Sequence, residues 1–229
     1  MGKNKYIKNS KISEARFRSL VKLFVLDLTA TQISAVLHLN RNTVNRYLLL
    51  IRRSIHWFSY KNSPLWPRSP RDESDTCLRD ILQMKQGIKG RPLSAKTLLI
   101  GIRESDSNVF TELVHDSIKH LILAALRGKV DWTGVQGCPS WPGYWGLVHV
   151  KSKKLFLVGA GRKKKTAAKK TITATEHFWA MNKERFARLR GVKENLFLFH
   201  LKEWEFRYNY RNEDIYKLLL KIIRNTPGL

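Results

Sequence analysis

Cysteine is almost missing from this 229-residue sequence. Cys77 and Cys138 stand far apart and in no CxxC pair, so a zinc ribbon or disulfide framework has no support in the sequence and two free thiols, buried or partly buried, are expected. The seven histidines are scattered, none at metal-ligand spacing from another, and read as ordinary core or surface residues. No run of about 18 apolar residues occurs, and the opening MGKNKYIKNSK lacks the apolar stretch of a signal peptide; a cytoplasmic protein with no membrane attachment is expected. Acidic residues are scarce, 18 against 43 Lys and Arg, for a net charge of +25. Such a surface calls for a polyanion. Nucleic acid comes first, because lysine and arginine release condensed counterions from phosphates. An RNA-binding protein would share this charge, and a basic membrane-surface protein is a weaker third reading. What is present is enough to fold: 43% hydrophobic and 10% aromatic residues exclude a disordered basic tail.

Residues 12 to 55 read as three helices. Ile12, Phe17, Leu20, Val21, Phe24 and Val25 recur at helical spacing and set Arg16, Arg18 and Lys22 largely on other faces. After Thr29-Ala30-Thr31, where either threonine can cap, a second helix turns Ile33, Val36 and Leu37 inward. A third begins after Asn40, with Val44, Tyr47, Leu48 and Ile51 as its buried stripe. This is a helix-turn-helix layout. Its exposed N-terminal face carries Arg41, Asn42, Thr43, Asn45 and Arg46, side chains that reach base edges and phosphates from the major groove, arginine suiting guanine and asparagine adenine. Residues 1 to 60 hold 11 basic residues against 2 acidic ones, which favours DNA over a plain three-helix bundle facing water.

Three prolines between Pro64 and Pro70 bar helix and central strand, so residues 61 to 71 form a linker between a 1 to 60 domain and a 72 to 229 domain. Beyond it, LLIGIR at 98 to 103 and VFTELV at 109 to 114 read as strands around a polar turn. An amphipathic helix over about 116 to 127 follows, then strand candidates at 130 to 137 and 154 to 160. Helices over about 174 to 190 and 193 to 222 close the chain, the second breaking near Asn209 to Asn212. The fold class expected is α/β of the mixed α+β kind, a mixed sheet flanked by helices. The run GRKKKTAAKK, with Arg162, Lys163, Lys164 and Lys165 at its head, reads either as a solvated loop or as a phosphate-contacting one. Arg207 and Arg211 face DNA or solvent.

An ordered series of runs then carries a resemblance: DLTATQISAVLHLNRNTVNRYL, DES at 72 to 74, TELVHDS, LRGKVD, the spaced W-x-G-Y-x-G-L from Trp141 to Leu147, TEHFWAMNKERFARLRGV and HLKEWEFRYNYR. Together they resemble the transposases of short bacterial insertion sequences, related to Merlin elements, whose catalytic domain is RNase H-like with an acidic DDE triad. The resemblance implies an RNase H-like domain over 72 to 229, phosphodiester cleavage and strand transfer, and two Mg²⁺ ions held by three carboxylates. It implies double-stranded terminal-repeat DNA as partner, a homodimer or larger assembly on it, and a nucleoid-associated place in a bacterial cytoplasm. Carried over residue by residue, the first aspartate falls on Asp72 and the closing glutamate on Glu176, which would be the catalytic and metal-binding pair. The second aspartate falls on Pro139, which has no side-chain oxygen, so a degenerate copy with impaired cleavage is expected. Two alternatives stand: an active enzyme recruiting Asp131 or Asp116 as substitute ligand, and a regulator using only the helix-turn-helix.

Overall fold

The computed structural model describes residues 4–63, 98–114, 116–128, 131–137, 141, 143–158, 172–188 and 194–228. The fold class is α+β: among the described residues, eight helices accompany a four-stranded antiparallel sheet. The chain divides into two compact units, Met1–Trp66 with Asn195–Leu229, and Pro67–Glu194. The last two helices thus fold with the first three, whereas the sequence reading places them with the sheet.

In the helical unit, α1 (Glu14–Val25), α2 (Ala30–Leu37) and α3 (Arg41–Lys61) each start on a side-chain cap. Ser13 accepts from the Arg16 amide, and Asn40 from that of Asn42 at 2.8 Å. Thr29 and Gln32 form a reciprocal capping box: the Thr29 amide donates to Gln32 Oε1 at 2.8 Å while the Gln32 amide returns to Thr29 Oγ1. The helix starting at Glu14 is shorter than the periodicity from Ile12 suggests, since Ser13 ends the approach. Phe17, Leu20, Val21, Phe24, Ile33, Val44, Tyr47, Leu48 and Ile51 are buried as the spacing requires. Val36 is not; at 56% exposed it faces solvent, because Ile33 and Leu37, one turn apart, already define the inner face of so short a helix. The α3 helix runs well past residue 55. Its apolar stripe continues through Ile55 and Phe58, whose rings and methyls meet α7 (Glu194–Asn209) and α8 (Ile215–Asn225). The break expected near Asn209 to Asn212 is the turn between α7 and α8, and Asp214 caps α8 by accepting from Lys217 N at 3.1 Å.

In the other unit the strands β1 (Leu99–Ser105), β2 (Asn108–Leu113), β3 (Gly146–His149) and β4 (Lys154–Leu157) lie in the order β2-β1-β3-β4. All three pairings are antiparallel; none of the parallel pairing of a mixed sheet occurs among the described residues. Asp106 and Ser107, both at positive φ, make the two-residue turn joining β1 to β2, the hand that matches strand twist. One sheet face carries Leu99 and Leu147 and packs on Ile118, Ile122 and Leu123 of α4 (Asp116–Leu126). The other carries Ile100, Ile102, Val109 and Thr111 in register and receives α6 (Ala174–Arg188).

Residues 130 to 137 do not form the expected strand: Trp132–Gly137 is a short helix, α5. Its burial has helical rather than alternating period, with Val135 buried, Trp132 and Gln136 half-buried, and Thr133 and Gly134 exposed. The Trp132 ring meets Trp141 edge-on at 5.9 Å, and the Val135 amide donates to the Asp131 carbonyl at 3.4 Å. Strand β3, absent from the sequence reading, offers only four residues of pattern.

Candidate nucleic-acid interface

The candidate surface named from the sequence starts from the turn between α2 and α3. His38 closes α2 in the left-handed region, φ 50° and ψ 47°, which reverses the chain within three residues and delivers Asn40 as the cap of α3. The first two turns of α3 then divide cleanly. Val44, Tyr47 and Leu48 point into the core, while Arg41, Asn42, Asn45 and Arg46 are exposed and Thr43 is half-exposed. Because the free amides of a helix start lie here, this end of α3 suits an anion as well as a base edge. All five residues named from the sequence thus fall on one accessible helix end.

The scaffold behind this face is held by contacts that the sequence reading missed. The Phe17 ring lies between those of Tyr6 and Tyr47, tilted to both at 5.7 and 6.0 Å, and the Tyr47 hydroxyl binds Ser10 Oγ and the Lys11 amide at 3.0 Å each, tying the leading segment to α3. Glu203 of α7 is buried between two guanidiniums, with Arg52 Nε at 2.7 Å and Arg207 Nε at 3.0 Å. Burial alone would raise its carboxyl, but the charges of Arg52 and Arg207 and their hydrogen bonds outweigh this and hold it below its ordinary value. Arg207 therefore faces neither DNA nor solvent. Its Nη atoms donate to the Phe24 and Val25 carbonyls at the end of α1, at 2.6 and 3.1 Å, so an arginine from the last third of the chain caps the first helix. Arg211 is exposed and donates to the Tyr208 carbonyl at 2.6 Å. Signals in the sequence existed only as the Glu203/Arg207 spacing of four.

The acidic residues named from the resemblance fare differently. Asp72, Pro139 and the basic run Arg162 to Lys165 lie outside the described residues. Glu176 is described, and its local surroundings account for it: Oε2 accepts from the Thr173 amide at 3.0 Å and hydroxyl at 3.3 Å, and the Glu176 amide returns to Thr173 Oγ1 at 3.1 Å. That is a capping box at the start of α6. A second carboxylate serves the same helix end, Glu104 Oε1 of β1 accepting from the Thr175 amide at 2.6 Å. Asp131 is exposed ahead of α5, and Asp116 opens α4. No group of three or more His, Cys, Asp or Glu able to hold a metal occurs among the described residues.

No protein-family model, curated protein or solved structure matches the chain. Among the described residues, no helix is long and apolar enough to cross a membrane.

Proposed function

We propose that the chain is a sequence-specific, double-stranded-DNA-binding protein of insertion-sequence transposase descent that cuts DNA poorly. In this reading α2 and α3 are a helix-turn-helix. Arg41, Asn42, Asn45 and Arg46 read base edges in the major groove, with Thr43 beside them, while the surrounding excess of lysine and arginine holds the phosphates. The observation that carries it is the division of the first turns of α3 into a buried apolar face and an accessible face of base-reading residue types. The descent rests on the ordered runs of the sequence, with an RNase H-like domain, Mg²⁺, terminal repeats and a two-fold assembly as its corollaries. Poor cleavage rests on Pro139 at the second acidic position and on Glu176 serving as a helix cap.

Selection of duplexes by the full-length protein from a random pool tests the binding. An enriched site with two inverted half-sites is expected, and Arg41→Ala or Asn45→Ala should flatten the preference by about 1–3 kcal/mol per contacted base pair. A pool that returns no preferred sequence overturns the reading. Incubation of the protein and the selected duplex with Mg²⁺ or Mn²⁺ tests the chemistry: efficient nicking abolished by Asp72→Ala and Glu176→Ala would show an intact enzyme.

A regulator that uses only DNA binding is favoured by one observation, that the helical unit has its own core built from both chain ends. Repression of transcription from a promoter bearing the selected site, unchanged in Asp72→Ala, separates it from a transposition function.

A further inference from the structure

Helix α8 packs on α1 and α3. Its eleven residues bury Leu219, Leu220, Ile222 and Ile223 in the core that α1 and α3 share. The opposite side bears Lys217, Lys221 and Arg224, all exposed, at intervals of four and three that align them in one stripe. At 1.5 Å per residue the stripe is about 10 Å long, close to the axial rise of three base pairs of B-DNA at about 3.4 Å each. No acid lies within α8. Asp214 precedes it, with its Oδ2 3.2 Å from Lys217 Nζ, but both side chains are half or more exposed and such a pair contributes little against a phosphate. Arg18 of α1 is a further exposed cation of the same unit, and its pairing with Glu14 is long, at 4.0 Å.

A helix so strongly two-sided and basic would ordinarily suit an anionic membrane surface. Here the apolar side is already committed to α1 and α3, so nothing remains to enter lipid, and only the charged stripe is offered outward. We propose that α8 is a phosphate-binding ridge, in which Lys217, Lys221 and Arg224 engage the backbone of the same duplex whose base edges residues 41 to 46 read. The inference rests on that reading and deepens it: sequence discrimination comes from α3, and a large share of sequence-independent affinity comes from the far end of the chain.

The test is the salt dependence of binding by full-length protein to the selected duplex and to an unrelated duplex of equal length. Lys221→Gln with Arg224→Gln should lower the slope of log K against log salt by about two and weaken both duplexes equally, leaving their ratio unchanged. Lys221→Arg with Arg224→Lys should restore the slope. Both positions are exposed, so the melting temperature should stay constant. An unchanged slope in the glutamine variant, with the wild type still preferring the selected site, overturns the ridge and leaves the base-reading proposal standing. A wild type that prefers no duplex fails the earlier reading instead. Loss of binding to phosphatidylserine vesicles without loss of duplex slope assigns the stripe to lipid and likewise overturns the ridge.

Discussion

The guanidinium of Arg207 lies 4.6 Å from the centre of the Phe24 ring while one of its nitrogens donates to the Phe24 carbonyl at 2.6 Å. One side chain of α7 thus covers the last aromatic of α1 and closes its carbonyl end, and Arg52 of α3 stands over the same ring at 5.9 Å. Glu203 binds both guanidiniums, so α3 and α7 meet at one buried carboxylate and Arg207 ties α1 to it. Positions of α1 and α3 are fixed against each other there.

Replacing Arg207 by methionine keeps much of the volume and removes the charge. It leaves Glu203 with a single cation and the Phe24 and Val25 carbonyls without their cap. The expected loss is about 3 kcal/mol of unfolding free energy, the usual scale for breaking a buried ion pair from one side. Urea denaturation measures it; a change under about 1 kcal/mol would mean that water replaces the guanidinium without cost.

Acid should loosen this unit in two stages. His200 is pushed down to about 4 from 6.5, by burial first and then by Arg52, with Glu203 opposing. As the pH drops below 6.5 the unfolded chain takes a proton that the folded one refuses until about 4, so stability falls across that window. Glu203, held below its ordinary value, contributes stability that is complete above about 4.5 and lost as the pH falls through its lowered folded value. His56, lowered by burial and then by Lys202, adds to the first stage. Melting temperature followed from pH 7 downward should decline in wild type, and His200→Phe should flatten the decline between 6.5 and 4 more than below it.

Much of this unit was legible in the sequence because its signals are local. Asn40 and Thr29 announce helix starts, and the spacing of Phe17, Leu20, Val21 and Phe24 announces a face. Not legible was the partner of that face. Ile55 and Phe58 extend α3 because Phe206 and Tyr210 are there to meet them, a long-range fact with no local trace. Trp132 to Gly137 misled for the opposite reason: six residues are too few for periodicity to separate strand from helix, and the Trp141 ring decides. For Glu176 the run T-A-T-E already spelled a capping box, a local signal that the resemblance overshadowed.

His38 offers a test of the turn itself. Its φ of 50° is a conformation that side chains with a branched β-carbon strongly resist. Against His38→Gly, the variant His38→Val should be less stable by about 1–2 kcal/mol. If the two variants melt alike, the turn at 38 to 40 is looser than its geometry indicates.

In the sheet unit Gly101 sits under Tyr144. A β-carbon there would come within 2.2 to 2.5 Å of three ring carbons, and the ring is pinned by the hydrogen bond from its hydroxyl to Glu112. Gly101→Ala should therefore cost about 1–3 kcal/mol, the range for overpacking. In the background of Tyr144→Ala the same substitution should cost nearly nothing, since the two residues share one space. Additive losses in the double variant would show that the strand, and not the ring, resists the methyl group.

The composite core makes the strongest demand on how DNA binding is measured. A fragment ending after α3 exposes the surface that Phe206, Leu219, Leu220, Ile222 and Ile223 cover, all of them at most 8% exposed in the whole chain. At about 1.5–3 kcal/mol for each such side chain, their loss removes roughly 7 to 15 kcal/mol, as much as a domain of this size has in total. The fragment of residues 1 to 66 should consequently melt without a cooperative transition and fail to prefer the selected duplex. Joining residues 195 to 229 to it through a glycine-serine linker should restore both, because every buried contact described for α1 to α3 closes within those two stretches. If the short fragment alone melts cooperatively and reads the site, the terminal helices are an accessory layer, and the Arg207 cap only decorates a module that stands without it.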